Sequence, residues 1–172
     1  MHGLVSAGAA QDALDYIDGI VPVLALERED EGGRTAALAG AVQGLRAELV
    51  ATGTHLALEA KEGLEVDEDV VLCIANLCRN AAEAGAGRVR CAVEQVGDRL
   101  RAVVDDDGPG IAPQDAERVF ERGRSTKADP SGLGRGIGLD LVRRVVTARD
   151  GAVTLSRSPL GGARFELEMA AR

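Results

Sequence analysis

Apolar residues recur along this chain in two rhythms, and the switches between them mark its elements. A period of two appears five times. Leu56 and Leu58 alternate with polar positions in residues 55–60, and Val89, Cys91 and Val93 are interleaved with Arg90, Ala92 and Glu94. Leu100, Ala102 and Val104 follow in the same way, then Val153 and Leu155, then Phe165, Leu167 and Met169 between Arg164, Glu166 and Glu168. Strands with one polar face predict a sheet covered on one side only, largely antiparallel, with Val96-Gly97-Asp98 as a hairpin turn. The covering layer must be helical. The helical rhythm is clearest in residues 67–84, where Val70, Ile74, Leu77 and Ala81 form one stripe, and in residues 138–149, with Leu139, Val142 and Val146. A further helix is expected over residues 35–51, ended by Gly53. The pattern adds up to a two-layer α/β sandwich, a mixed, largely antiparallel sheet with helices on one face.

The first 27 residues carry helical spacing at Leu14, Ile17, Ile20 and Val21, interrupted by Pro22. A charged, glycine-containing stretch over residues 27–33 then reads as a linker. The division expected is an N-terminal helical remnant and linker over residues 1–30 and one domain over residues 31–172.

Composition narrows the function. Only 2% of the residues are aromatic and the net charge is −8, so neither a base-stacking surface nor attraction to a phosphate backbone is available, and nucleic acid is excluded as a partner. Cys73, Cys78 and Cys91 lie in apolar stretches without metal-ligand spacing, as reduced, buried thiols do, which suits the cytoplasm. No apolar run approaches membrane-spanning length. A cytoplasmic piece without membrane contact is expected, the full-length protein being membrane-anchored elsewhere.

Three segments carry chemistry. Asn76 and Asn80 lie four apart in a helix, read as opposite its apolar stripe; such amides can hold a metal's oxygen shell or a phosphate, although they also occur simply solvated or as caps. Val-Asp-Asp-Asp-Gly-Pro-Gly-Ile, residues 104–111, stands at a strand end, where a carboxylate can accept a hydrogen bond from an exocyclic amine while glycines let backbone approach a ring. Gly-Leu-Gly-Arg-Gly-Ile-Gly-Leu, residues 132–139, opens a helix, where backbone N–H groups and the helix dipole favour an anionic phosphate. It is not a Walker loop, because no Lys-Ser or Lys-Thr follows the last glycine.

In this order and spacing, the three segments resemble the N, G1 and G2 boxes of the GHKL superfamily, which contains gyrase, heat-shock chaperone, histidine-kinase and mismatch-repair ATPases. The resemblance covers residues 56–169 and implies the Bergerat α/β sandwich. It also implies that Asn80 coordinates Mg²⁺, that Asp106 binds the adenine amino group and that Gly108 and Gly110 shape its pocket. Gly134, Gly136 and Gly138, with Leu139 closing the motif, would shape the phosphate end and a lid hinge. Asp105 and Asp107 are expected to matter less than Asp106. The stretch Val-Phe-Glu-Arg-Gly-Arg-Ser-Thr-Lys, residues 119–127, is similar to the F box and lid of sensor kinases of the citrate and dicarboxylate group. Arg122, Arg124 and Lys127 would then lie near the triphosphate, with Lys127 reaching the γ-phosphate.

Hydrolysing members of the superfamily place a general-base glutamate four residues before the metal-binding asparagine. Here that position is Asn76, so transfer to a protein acceptor is favoured over hydrolysis, and Asn76 and Lys127 are the candidate catalytic positions. The expected activity is that of a two-component histidine kinase, using ATP and Mg²⁺. The acceptor would be a histidine on a dimerisation domain upstream of Met1, since neither His2 nor His55 has acceptor context. A response regulator and homodimerisation of the full-length protein complete the expected partners. Two departures stand out: Glu83 occupies a position where many kinases carry a phosphate-contacting Lys, and Ala163 one where a Thr often supports adenine. They leave two alternatives open, an anti-sigma-type serine kinase and a non-catalytic ATP-sensing interaction domain.

Overall fold

The computed structural model describes residues 33–61, 64, 66–120 and 138–171. The N-terminal unit over residues 1–30 and the candidates Arg122, Arg124, Lys127, Gly134 and Gly136 lie outside the described residues. In chain order the elements are α1 (Gly33–Ala51), β1 (His55–Ala60), α2 (Glu68–Glu83), β2 (Arg88–Val96) and β3 (Arg99–Asp106). Two 3₁₀ turns, Pro113–Asp115 and Arg118–Phe120, precede α3 (Gly138–Thr147), β4 (Ala152–Arg157) and β5 (Ala163–Ala170). The five strands lie in the order β1-β2-β3-β5-β4. The β1–β2 pair is parallel and the remaining pairs are antiparallel, as the alternation predicts.

The inner face of the sheet presents Leu56, Val89, Cys91, Val93, Leu100, Ala102, Val104, Phe165, Leu167 and Met169, all buried. Against them pack Val70, Cys73, Ile74, Leu77, Cys78 and Ala81 of α2 and Val142 and Val146 of α3. With so few aromatic rings, one edge-to-face pair, Phe120 on Phe165 at 6.1 Å between centroids, closes the core beside α3. The outer face is charged and tied by cross-strand pairs: Arg101 to Glu166 (2.8 Å) and to Glu94 (3.0 Å), and Arg99 to Glu168 (3.1 Å). His55 is exposed on β1, whose next residue, Leu56, is buried.

Asp67 caps α2 by accepting a hydrogen bond from Val70 N (3.2 Å), and Glu68 and Asp69 place negative charge on its first turn. Asp67 also receives the buried Arg149 Nη1 at 2.8 Å, while Arg149 Nη2 donates to the Ala170 carbonyl. One guanidinium thus joins the start of α2, the end of α3 and the end of β5. The last helix is shorter than its apolar pattern suggests. After Thr147 the chain turns through Asp150, at φ 48°, and Gly151, whose N–H bonds back to Val146 O (3.0 Å). A Cβ at Gly151 would collide with the Glu168 carbonyl and lie 2.8 Å from Val146 O, so the turn into β4 passes only through glycine.

Candidate nucleotide-binding site

The site lies at the end of β3, between the C-terminal half of α2, the start of α3 and the β4–β5 turn. β3 ends in three consecutive carboxylates, and strand alternation sends them in different directions. Asp106 points inward and is only 5% exposed. Its Oδ1 accepts from Gly108 N (2.8 Å) and from Ala163 N (3.1 Å), which fixes the carboxylate from both sides. Among the described residues no donor reaches Oδ2, and that oxygen is not among the sealed polar atoms. One oxygen is therefore used to orient the group, and among the described residues none uses the other.

The backbone around Asp106 is close-packed. Gly162 N donates to Asp106 O (3.0 Å), and a Cβ on Gly162 would overlap Asp106 Oδ1 and lie 2.6 Å from Gly108 N. Gly110, at φ 73°, brings the loop after β3 against the Gly162 carbonyl; its own Cβ would sit 3.4 Å away. The sequence pattern does not single out Gly162 as a site residue. The signal for it was the pair Gly161-Gly162 directly before a strand.

Asn76 departs from expectation. It does not lie opposite the apolar stripe: it is 2% exposed, and its Nδ2 donates to the carbonyl of Leu72 one turn earlier (2.8 Å). The C-terminal half of α2 is covered by α3 as well as by the sheet, and this second contact buries the Asn76 face. The first residue of α3 is what lies there. A Cβ on Gly138 would be 2.9 Å from Asn76 Oδ1 and 3.7 Å from Asn80 Nδ2, so the backbone at the start of α3 rests directly on the two amides. Asn80 Nδ2 is buried without a partner. A buried amide left unpaired costs about 1–3 kcal/mol, so this is a place where a ligand atom is wanted. The next residue, Leu139, packs against the core and holds the turn in place.

The flanking carboxylates point away from Asp106. Asp105, 1% exposed, receives Arg164 Nε (2.8 Å) and Nη2 (2.9 Å) and Arg90 Nη2 (3.2 Å). Burial pushes its pKa up, but hydrogen bonds from Arg164, Ser158 and Arg90 outweigh this and hold it below the usual carboxylate range. Asp107 Oδ1 accepts from Gly87 N and Arg88 N, both at 2.8 Å, and its Oδ2 pairs with Arg88 Nε (2.9 Å). The Arg88 side-chain hydrogen bond is the main cause of its lowered pKa.

The model of the family described as histidine kinase-, DNA gyrase B- and HSP90-like ATPase matches residues 65–172. The chain is 38% identical over 122 residues to the sensor protein kinase CarS of Pseudomonas aeruginosa, covering 68% of this chain and 27% of CarS. It is 41% identical over 106 residues to the sensor protein CitS of Halalkalibacterium halodurans, covering 58% of this chain and 19% of CitS. It therefore spans about a quarter or less of the length of these relatives. Among solved structures, full-length ShkA in complex with AMPPNP superposes with TM-score 0.65 at 26% identity, over 95% of this chain and 37% of ShkA. The mycobacterial sensor histidine kinase MprB superposes with TM-score 0.63 at 23% identity, over 80% of this chain and 95% of that one, a likeness of fold.

Proposed function

Because the chain belongs to the histidine kinase-, DNA gyrase B- and HSP90-like ATPase family, we propose that it is the catalytic domain of a sensor histidine kinase, binding Mg-ATP and donating its γ-phosphoryl group. The acceptor is a histidine of a dimerisation domain outside this chain. In the transfer, the bond from the γ-phosphorus to the bridging oxygen of ADP breaks as a bond to the acceptor imidazole nitrogen forms.

The observation that carries this reading is the start of α3 resting on Asn76 and Asn80, with a buried amide nitrogen unpaired between the helices. That arrangement sets a helix N-terminus, with its unsatisfied N–H groups, beside an amide able to turn either its nitrogen or its oxygen to a ligand. Asn80 holds the ligand there, with its nitrogen toward a phosphate oxygen or its carbonyl toward the cation. Among the described residues no group of three His, Cys, Asp or Glu could hold a metal. One amide oxygen suits Mg²⁺, which keeps its waters and phosphate ligands instead of a protein cage. Bound Mg²⁺ supplies neutralisation of charge on the phosphate oxygens.

Asp106 Oδ2 accepts a hydrogen bond from the adenine amino group, and Gly108, Gly110 and Gly162 shape the pocket by letting the loop after β3 and the β4–β5 turn close on Asp106. With Ala163 the support beside adenine is a backbone N–H in place of a hydroxyl. Asn76 acts by position: its amide is not basic, is committed to Leu72 O and carries α3, so no base activates water here and the phosphoryl group is kept for the acceptor. Arg122, Arg124 and Lys127 belong to the same reading as the triphosphate's cations, with Gly134 and Gly136 as the lid hinge. So do the domain division near residue 30, a response regulator, homodimerisation of the full-length protein and a cytoplasmic setting. No described helix is long and apolar enough to cross a membrane.

The test is incubation with γ-labelled ATP and Mg²⁺, alone and with an added histidine-containing dimerisation domain. Acid-labile label on the added domain, and none on His2 or His55, is the expected outcome. Label on serine of a partner, or rapid phosphate release without acceptor, would overturn the assignment.

A further inference from the structure

We infer that Asp105 is a positioning residue for base recognition, holding the β4–β5 turn at the distance from Asp106 that adenine binding requires. The inference rests on the reading of Asp106 as the adenine partner. Asp105 looks dispensable in the sequence because it points to the outer face of the sheet. The structure makes it a junction instead: β3 carries it, Arg90 reaches it from β2, and Arg164 grips it from β5 through two bonds.

Arg164 is the link to the site, because it directly follows Ala163 at the end of the β4–β5 turn. The turn is bonded to itself: Ser158, 4% exposed, accepts at its hydroxyl oxygen from Leu160 N (3.0 Å). Its backbone closes the same turn: Ser158 N donates to Gly162 O (2.9 Å) and Gly161 N to Ser158 O (3.0 Å). What fixes Arg164 therefore also fixes its neighbours Gly162 and Ala163. These are the residues whose N–H groups meet Asp106 O and Oδ1. Neighbouring carboxylates thus hold one turn from two sides, Asp106 by backbone bonds within the site and Asp105 by side-chain bonds behind it. Arg164 follows Ala163 directly, so the Asp105 pair also fixes the register of β5 at the pocket. The Asp105–Arg164 pair is almost sealed on the carboxylate side, where a charge deprived of its partners is far more disruptive than at an exposed pair. The Arg101–Glu166 pair, two residues further along β5, touches no part of the turn and serves as the comparison.

The experiment measures affinities of Mg-ATP and Mg-GTP by competition against a fluorescent nucleotide, on the full chain well below its melting temperature. Variants are Asp105→Asn, Arg164→Lys, Asp106→Ala and Glu166→Gln. Asp105→Asn is expected to lower ATP affinity about tenfold while leaving the weaker GTP binding unchanged, and Arg164→Lys, which keeps the charge but loses the two-bond grip, to move the same ratio about threefold. A merely structural role would lower both nucleotides together. If Asp105→Asn does not fold, Arg164→Lys decides. The proposal alone is overturned if Asp106→Ala abolishes the preference for ATP but Asp105→Asn and Arg164→Lys keep it, or if Glu166→Gln reduces it as much as Asp105→Asn. Wild-type protein without preference for ATP, or Asp106→Ala that keeps it, would overturn the adenine reading itself and the proposal with it.

Discussion

A single methyl group at position 162 should weaken nucleotide binding, and the close packing around that residue is the reason. A Cβ there would overlap Asp106 Oδ1 and stand 2.6 Å from Gly108 N and 2.7 Å from Asp106 O. Ordinary carbon contacts begin near 3.5 Å, so both backbone atoms would have to retreat by roughly 0.8–0.9 Å relative to that limit. Neither is the end of a flexible side chain: they belong to the last residue of β3 and the loop it carries, which Gly162 itself binds through its N–H. Relief must come from prising the β4–β5 turn off the end of β3. Overpacking of this kind costs about 1–3 kcal/mol in stability, and it displaces the two donors that orient Asp106. Gly162→Ala is therefore expected to remain folded at low temperature, to melt earlier, and to bind Mg-ATP at least about tenfold more weakly. The comparison is Gly97→Ala in the β2–β3 hairpin at the opposite end of β3. Gly97 has φ 64° and nothing within 4 Å of its Cβ position, so alanine adds backbone strain but no collision. That variant should lose about 1 kcal/mol with unchanged affinity. Thermal unfolding and titration calorimetry on both proteins make the test. Wild-type ATP affinity in Gly162→Ala, or equal affinity losses in the two variants, would refute the placement of the adenine pocket.

Asn80→Ala should remove the Mg²⁺-dependent part of nucleotide binding without loss of fold, because the amide it deletes has no partner to lose; calorimetry with and without Mg²⁺ checks this. Arg149→Ala should cost about 1.5–3 kcal/mol by removing the charged hydrogen bond to Asp67, read by denaturant unfolding, with ATP affinity retained in the folded fraction because the junction is formed at the start of α2, far along the helix from Asn80. The thiols give a pH prediction. Burial above all raises Cys73 and Cys91 from an ordinary value of 9.0 to about 12, and Cys78 rises for the same reason. Folded thiols thus stay protonated where unfolded ones ionise: their contribution is complete below pH 9.0 and is lost as pH climbs toward about 12. Native protein at pH 8 should accordingly react with a thiol reagent only on unfolding, and rapid reaction of any of the three would contradict their burial.

Much of this molecule is legible in the order of its residues. Period-two and helical rhythms locate every described strand and helix to within a few residues, because side-chain periodicity follows from backbone geometry alone. The Gly97 turn acts within a few residues of its own position, and so its effect is local enough to read. The three boxes are recognisable for the same reason: a glycine-rich turn before a helix and a carboxylate at a strand end carry their chemistry in their immediate neighbours. What the sequence could not determine were contacts between residues far apart in the chain. Asn76 looks like a solvated amide until α3, more than 60 residues later, sets Gly138 against it. Asp105 looks like the idle neighbour of Asp106 until β5 brings Arg164, more than 50 residues away, onto its carboxylate. Alternation along β3 does say that Asp105 and Asp106 face opposite sides. Only the pairing of β3 with β5 decides that both sides are occupied, and that Asp105, turned away from Asp106, is fastened to the strand whose first residue bonds Asp106.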